Sequence, residues 1–170
     1  MAQIVIRIRG TPEGSREKGT HMAGKTSGSD NEAAGGVTYG FGTTLQMPFA
    51  EAIEAVSAAL KDQGFGVLTT IDVQATMKAK LDVNYEKYVI LGACNPSLAH
   101  RALQLEHSVG LLLPCNVVVH EAHESDRAGS TRVDVIDPLA MLGVISTPGM
   151  TDVAAEARDR LKKVIASLEA

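Results

Sequence analysis

Leu111-Leu-Leu-Pro-Cys-Asn-Val-Val-Val-His-Glu-Ala-His-Glu-Ser-Asp-Arg-Ala-Gly-Ser-Thr-Arg-Val-Asp-Val-Ile-Asp137 holds two β-branched runs on either side of a polar segment. Leu111–Glu121 reads as a long strand. In Thr131–Asp137, Val133 and Val135 alternate with Asp134 and Ile136, the two-residue period of a second strand. The polar turn His123–Ser130 is too short for a parallel crossover, so these strands pair antiparallel. Upstream, Val37–Thr44, Gly66–Ile71 and Tyr85–Cys94 read as further strands. Between them lie helical spacings. Phe49, Ile53, Val56 and Leu60 mark one face after Pro48, and Gly64 stops that helix. Asp72 is expected to cap a short helix with Val73, Met77 and Leu81 inward. Asn95-Pro96 opens another, with Leu98, Ala102 and Leu105 on one face. Downstream, Pro138–Leu142 makes a short helical turn and Val144-Ile145 follows. Thr151 is expected to cap a last helix with Val153, Ala157, Leu161, Val164 and Leu168 facing in. The order β-α-β-α-β-α-β-β-α, with amphipathic helices, implies a two-layer α+β sandwich over residues 37–170.

Residues 10–36 are rich in Gly, Ser, Thr and charge, and no apolar period runs through them. Such a stretch cannot bury enough surface to offset its ordering entropy, so residues 1–36 are expected to be a disordered tail or linker. Within it, Ile4, Ile6 and Ile8 alternate with Val5, Arg7 and Arg9 as a short strand would. His21-Met22 matches the pair encoded by a common cloning site, so Met1–His21 is expected to be vector-derived. Gly19-Thr-His-Met-Ala-Gly-Lys-Thr26 fits the spacing of a phosphate-binding loop, but no strand precedes it and the Gly- and Ser-rich Ser27–Gly36 cannot supply the helix that must follow.

The chain has 170 residues, 45% of them apolar and 21% charged, close to average for a globular protein. No apolar run reaches the roughly 20 residues of a membrane helix, and Met1–Arg9 lacks the pattern of a signal peptide, so the expected location is cytoplasmic. The first 35 residues hold five of the 16 basic and four of the 20 acidic residues, which leaves the remainder at a net −5. An acidic body without Trp and with three Tyr and three Phe lacks the basic footprint and stacking aromatics of a nucleic-acid binder.

Chemistry concentrates on two cysteines, Cys94 and Cys115. They form no C-x-x-C pair, so neither a thioredoxin site nor a zinc knuckle is indicated. Cys94 ends a strand just before a helix N-terminus, where the local positive potential can lower a thiol pKa. Three readings stay open: both are small core residues, they form a paired soft-metal or redox site, or one is a reactive thiol. His100 falls near the edge of the inner face of the Asn95-capped helix, and it reads more readily as structural than as a ligand. His120-Glu-Ala-His123 lacks the H-E-x-x-H spacing that sets two imidazoles on one helical face, and it reads as solvated surface. Asp134 and Asp137 form an acid–base pair only if space brings them together, and Asp137-Pro138 is well explained as a turn starter.

Gly64-Phe-Gly-Val-Leu-Thr-Thr-Ile-Asp-Val73, Leu91-Gly-Ala-Cys-Asn-Pro-Ser-Leu-Ala-His-Arg-Ala-Leu103, Gly110-Leu-Leu-Leu-Pro-Cys-Asn-Val-Val-Val119 and Asp137-Pro-Leu-Ala-Met-Leu-Gly-Val144 occur in that order. In these segments the chain resembles the domain-of-unknown-function family 302, from about Tyr39 to Leu168. The resemblance implies a TATA-binding-protein-like α+β fold: helices on one face of a curved, mainly antiparallel sheet, usually assembled as a homodimer. It names no activity, and fold alone does not import DNA binding.

The expectation is a non-enzymatic, homodimeric module that binds a small ligand or soft metal. Its pocket would be near Cys94, Asn95, His100, Cys115, Asn116 and Asp137, with Cys94 and Cys115 as the metal ligands and the cofactor unspecified. One alternative is a thiol redox or hydrolytic enzyme with Cys94 as nucleophile and His100 or His120 as base. The other is a structural or partner-binding domain in which the cysteines are core.

Overall fold

The computed structural model describes residues 37–122 and 129–170. The expected tail of residues 1–36, with its short strand, its phosphate-loop spacing and the cloning-site junction, lies outside the described residues, as does most of the polar turn, including His123. The elements are β1 (Gly40–Leu45), α1 (Phe49–Asp62), β2 (Gly66–Asp72), α2 (Val73–Leu81), β3 (Tyr88–Cys94), α3 (Pro96–Leu105), a 3-10 helix (His107–Leu112), β4 (Cys115–Glu121), β5 (Thr131–Ile136), α4 (Pro138–Leu142) and α5 (Met150–Leu168).

The five strands form one sheet in the order β1-β5-β4-β3-β2, and every neighbouring pair is antiparallel. The fold is a two-layer α+β sandwich. Val89, Leu91, Ala93, Cys115, Val117, Val119, Val133 and Val135 are buried on one sheet face, and α1 and α5 cover them with Val56, Leu60, Leu161 and Val164. Alternate residues turn to the other face, which carries Tyr88, Ile90, His120, Arg132 and Asp134. A second apolar cluster joins α3 and α4 to the start of α5 through Leu98, Ala102, Leu142, Met150 and Val153, and Met141 packs against both clusters. Among the described residues, no helix is long and apolar enough to cross a membrane.

Several boundaries differ from the sequence reading. Leu111–Leu113 does not belong to the strand: a 3-10 helix runs through Leu112, and β4 begins only at Cys115. β-branched and leucine-rich composition cannot separate a strand from a short helical turn. Thr151 is inside α5, whose N-cap is Gly149 at φ 87, a left-handed conformation that glycine adopts without strain. Val73, Met77 and Leu81 do not turn into a core, because α2 has no buried residue. Leu105 is partly exposed while Leu98 and Ala102 are buried. Asp72 and Asn95 do cap their helices, accepting from Ala75 N at 2.8 Å and Leu98 N at 3.2 Å.

Candidate functional site

A small apolar pocket of about 30 Å³, partly open to solvent, lies at the seam between the two clusters. Ala93, Cys94 and Cys115 line it from the sheet, Leu98 and Ala102 from α3, and Pro138 and Met141 from α4. Ala93 pairs with Cys115 across β3 and β4, so Cys94 is one residue along from the residue opposite Cys115. Both cysteines are free, Cys115 buried and Cys94 half-buried. Burial, reinforced by the neighbouring Cys94, pushes the Cys115 thiol up to about 11. Burial also raises the Cys94 thiol. The expected lowering at the α3 N-terminus is therefore not found, since desolvation opposes the thiolate. Both sulfurs are protonated near neutral pH.

The other expected site residues divide. Asn95 is buried on the pocket wall, but its Oδ1 is turned to Leu98 N as the α3 cap. Asp137 is beside the pocket through Pro138. One of its oxygens accepts from Leu139 N at 2.9 Å and the other pairs with Arg158 Nε at 2.9 Å, so both serve local structure. His100 is exposed and outside the pocket lining, on a different part of α3 from Leu98 and Ala102. Asn116 is exposed, and alternation turns it away from the face that carries Cys115 and Val117. Among the described residues, no group of three or more His, Cys, Asp or Glu side chains is arranged to hold a metal.

The opposite sheet face carries a polar cluster that the linear reading missed. The register places Tyr88 opposite His120 and His120 opposite Arg132. Tyr88 stacks on the His120 ring at 5.4 Å between centroids, with an interplanar angle of 17°. Arg132 donates to Asp134 Oδ1 through Nε at 3.0 Å and Nη2 at 2.6 Å, and Asp134 Oδ2 is 3.7 Å from His120 Nε2. His120 Nδ1 is 2.7 Å from the Glu121 carbonyl oxygen. The imidazole is not solvated surface, since its side chain is only 12% exposed. Once β4 and β5 are paired in register, the two-residue period of Arg132 and Asp134 is the signal that would have found this cluster.

A family model described as a domain of unknown function, DUF302, matches residues 41–168 of this chain. A solved structure of an uncharacterized conserved DUF302 protein from Bacillus stearothermophilus is 28% identical. That likeness covers 76% of this chain and 98% of the other at a TM-score of 0.68. No curated protein matches the chain.

Proposed function

Because the chain belongs to the domain-of-unknown-function family 302, whose description assigns no activity, we propose that it is the homodimeric module the resemblance implies and, from the pocket's chemistry, a non-enzymatic one that takes up a single soft cation through Cys94 and Cys115. One observation carries this reading: the two thiols line one small apolar pocket that opens to solvent. A volume of about 30 Å³ suits an ion or a water-sized guest rather than a metabolite. Thiolates select soft cations, and Cu(I) is the favoured occupant because a structural Zn(II) site usually uses four ligands. Oxygen-loving ions have no ligand set in the pocket. The raised thiols and the distance of His100 from the lining both weigh against a Cys94 nucleophile, which works as a thiolate near a base.

The test is competition of the full chain with a chromophoric Cu(I) chelator. The expected result is one Cu(I) per chain, lost in both Cys94→Ser and Cys115→Ser. Because two thiol protons must leave, apparent affinity is expected to rise by about a hundredfold per pH unit between pH 6 and 8. Equal binding by wild type and both variants, or no binding by wild type, overturns the proposal. The second reading, that the cysteines are core, is favoured by the place of Cys115 in the main apolar cluster. Its mark would be Cys115→Ala losing stability while no metal binds to either protein.

A further inference from the structure

Both cysteines of the chain and one of its six methionines line the pocket. Cys94 and Cys115 enter from β3 and β4, and Met141 enters from α4 on the helical side. α4 starts directly after β5, which pairs with β4, the strand of Cys115. Three contacts pin that start. Asp137 N donates to the Tyr39 carbonyl oxygen at 2.8 Å, Asp137 Oδ1 accepts from Leu139 N at 2.9 Å, and Asp137 Oδ2 pairs with Arg158 Nε at 2.9 Å. Met141 N donates to the Asp137 carbonyl oxygen at 2.9 Å, which fixes the backbone that carries the thioether. The Met141 side chain packs against the sheet cluster, which contains Cys115, and against the α3–α4 cluster. Among the described residues that line the pocket, Asn95 alone carries a side-chain nitrogen or oxygen, and its Oδ1 accepts from Leu98 N. The other donors are sulfur.

We infer that the Met141 thioether is a third ligand, which completes a site with Cys94 and Cys115 and makes it select Cu(I) over Zn(II). This deepens the soft-cation reading above and rests on it. Thioether sulfur belongs with thiolate among the soft donors that select Cu(I). Zn(II) takes thiolate, imidazole or carboxylate and closes a structural site with four of them, and the pocket lining offers it only two thiols. Charge favours the same set. Two thiolates and one Cu(I) leave a single negative charge, a third thiolate would leave two, and charge in an apolar pocket is costly. A thioether donates an electron pair without adding charge and has no proton to lose. Binding forms two copper–thiolate bonds and one copper–thioether bond, releases two thiol protons to solvent and changes no oxidation state. Methionine has three rotatable side-chain bonds, so its sulfur can turn onto a cation while its hydrocarbon stays packed. A methionine that only filled the gap between two clusters would be replaceable by leucine with no consequence for the metal.

The test uses the full chain without oxygen, with ascorbate holding copper as Cu(I) so that no outside sulfur is present. X-ray absorption at the copper edge is expected to give three sulfur neighbours in wild type and two in Met141→Leu. In competition with a chromophoric Cu(I) chelator, Met141→Leu should bind about tenfold or more weakly than wild type, at least the loss that removing an outer-shell partner causes. Its Zn(II) affinity, read with a chromophoric Zn(II) chelator, should match that of wild type. Met77→Leu, on α2 and outside the pocket lining, should change neither affinity. Leucine keeps the volume of methionine, so the Met141 variant is expected to fold, and its thermal midpoint checks this. Should it not fold, the sulfur count in wild type decides alone. A two-sulfur shell in wild type, or equal Cu(I) affinity in wild type and folded Met141→Leu, overturns the role of Met141 and leaves the two-cysteine site standing. No Cu(I) on wild type overturns that site and this inference together.

Discussion

His120 has acceptors facing both ring nitrogens, the Glu121 carbonyl at Nδ1 and the Asp134 carboxylate at Nε2. Either neutral tautomer would turn a lone pair toward one of them, so the cation suits this position. The Asp134 carboxylate accordingly raises the His120 pKa above its ordinary value near 6.5, against the opposing effect of burial. Burial alone would raise Asp134, but its contacts with His120 and Arg132 win and hold it low. The signs fix two pH windows. The His120 contribution to stability is full below about pH 6.5 and is lost as pH climbs through the raised folded value. The Asp134 contribution is present above about pH 4 and is lost as pH falls. We expect His120→Gln to be less stable than wild type by about 1–2 kcal/mol at pH 5.5, with the gap shrinking at alkaline pH. Urea denaturation at both pH values measures it. A gap that is constant with pH would show that the imidazolium is not what stabilises the site.

At the scale of elements, two junctions depend on single residues. Gly42 in β1 pairs with Asp134, and a Cβ there would collide with the Val133 carbonyl oxygen and the Asp134 side chain. Because the first obstacle is backbone, the strands would have to separate. Gly42→Ala is expected to cost about 1–3 kcal/mol, read as a lower thermal midpoint. Asn95 caps α3 from a buried position beside the pocket. Asn95→Ala should cost about 1–2 kcal/mol, and Asn95→Asp, which keeps the accepting oxygen, should recover part of it. The Asn95 cap was legible because Asn-Pro before an apolar helical period has a local physical meaning. The path of Leu111–Leu113 was not, because nothing local separates a leucine run in a strand from one in a 3-10 turn.

For the molecule as a whole, the sheet cluster and the α3–α4 cluster are bridged by α5, which supplies Leu161 and Val164 to one and Met150 and Val153 to the other. A helix shared in this way should make unfolding a single transition. Leu161→Ala, fully buried in the sheet cluster, is expected to cost about 2–5 kcal/mol. Fluorescence of a dye placed on α3 and far-ultraviolet dichroism should then still lose signal together. Separate midpoints would mean that the two clusters melt independently.

Sequence alone determined the two-layer α+β class, the antiparallel pairing of β4 with β5, most helix faces and two of the caps, because side-chain period and capping chemistry act over a few residues; the antiparallel course of the rest of the sheet entered only as what the family resemblance implied. It also marked Cys94 and Asn95, through their places at a strand end and a helix start, and Cys115, read inside a strand, as worth following. Only the tertiary structure decided that both cysteines share a pocket with raised rather than lowered thiols, that His100 and Asn116 stand apart from it, and that Tyr88, His120, Arg132 and Asp134 meet. Those outcomes depend on strand register and on how much water burial removes, and both are set by contacts between segments far apart along the chain.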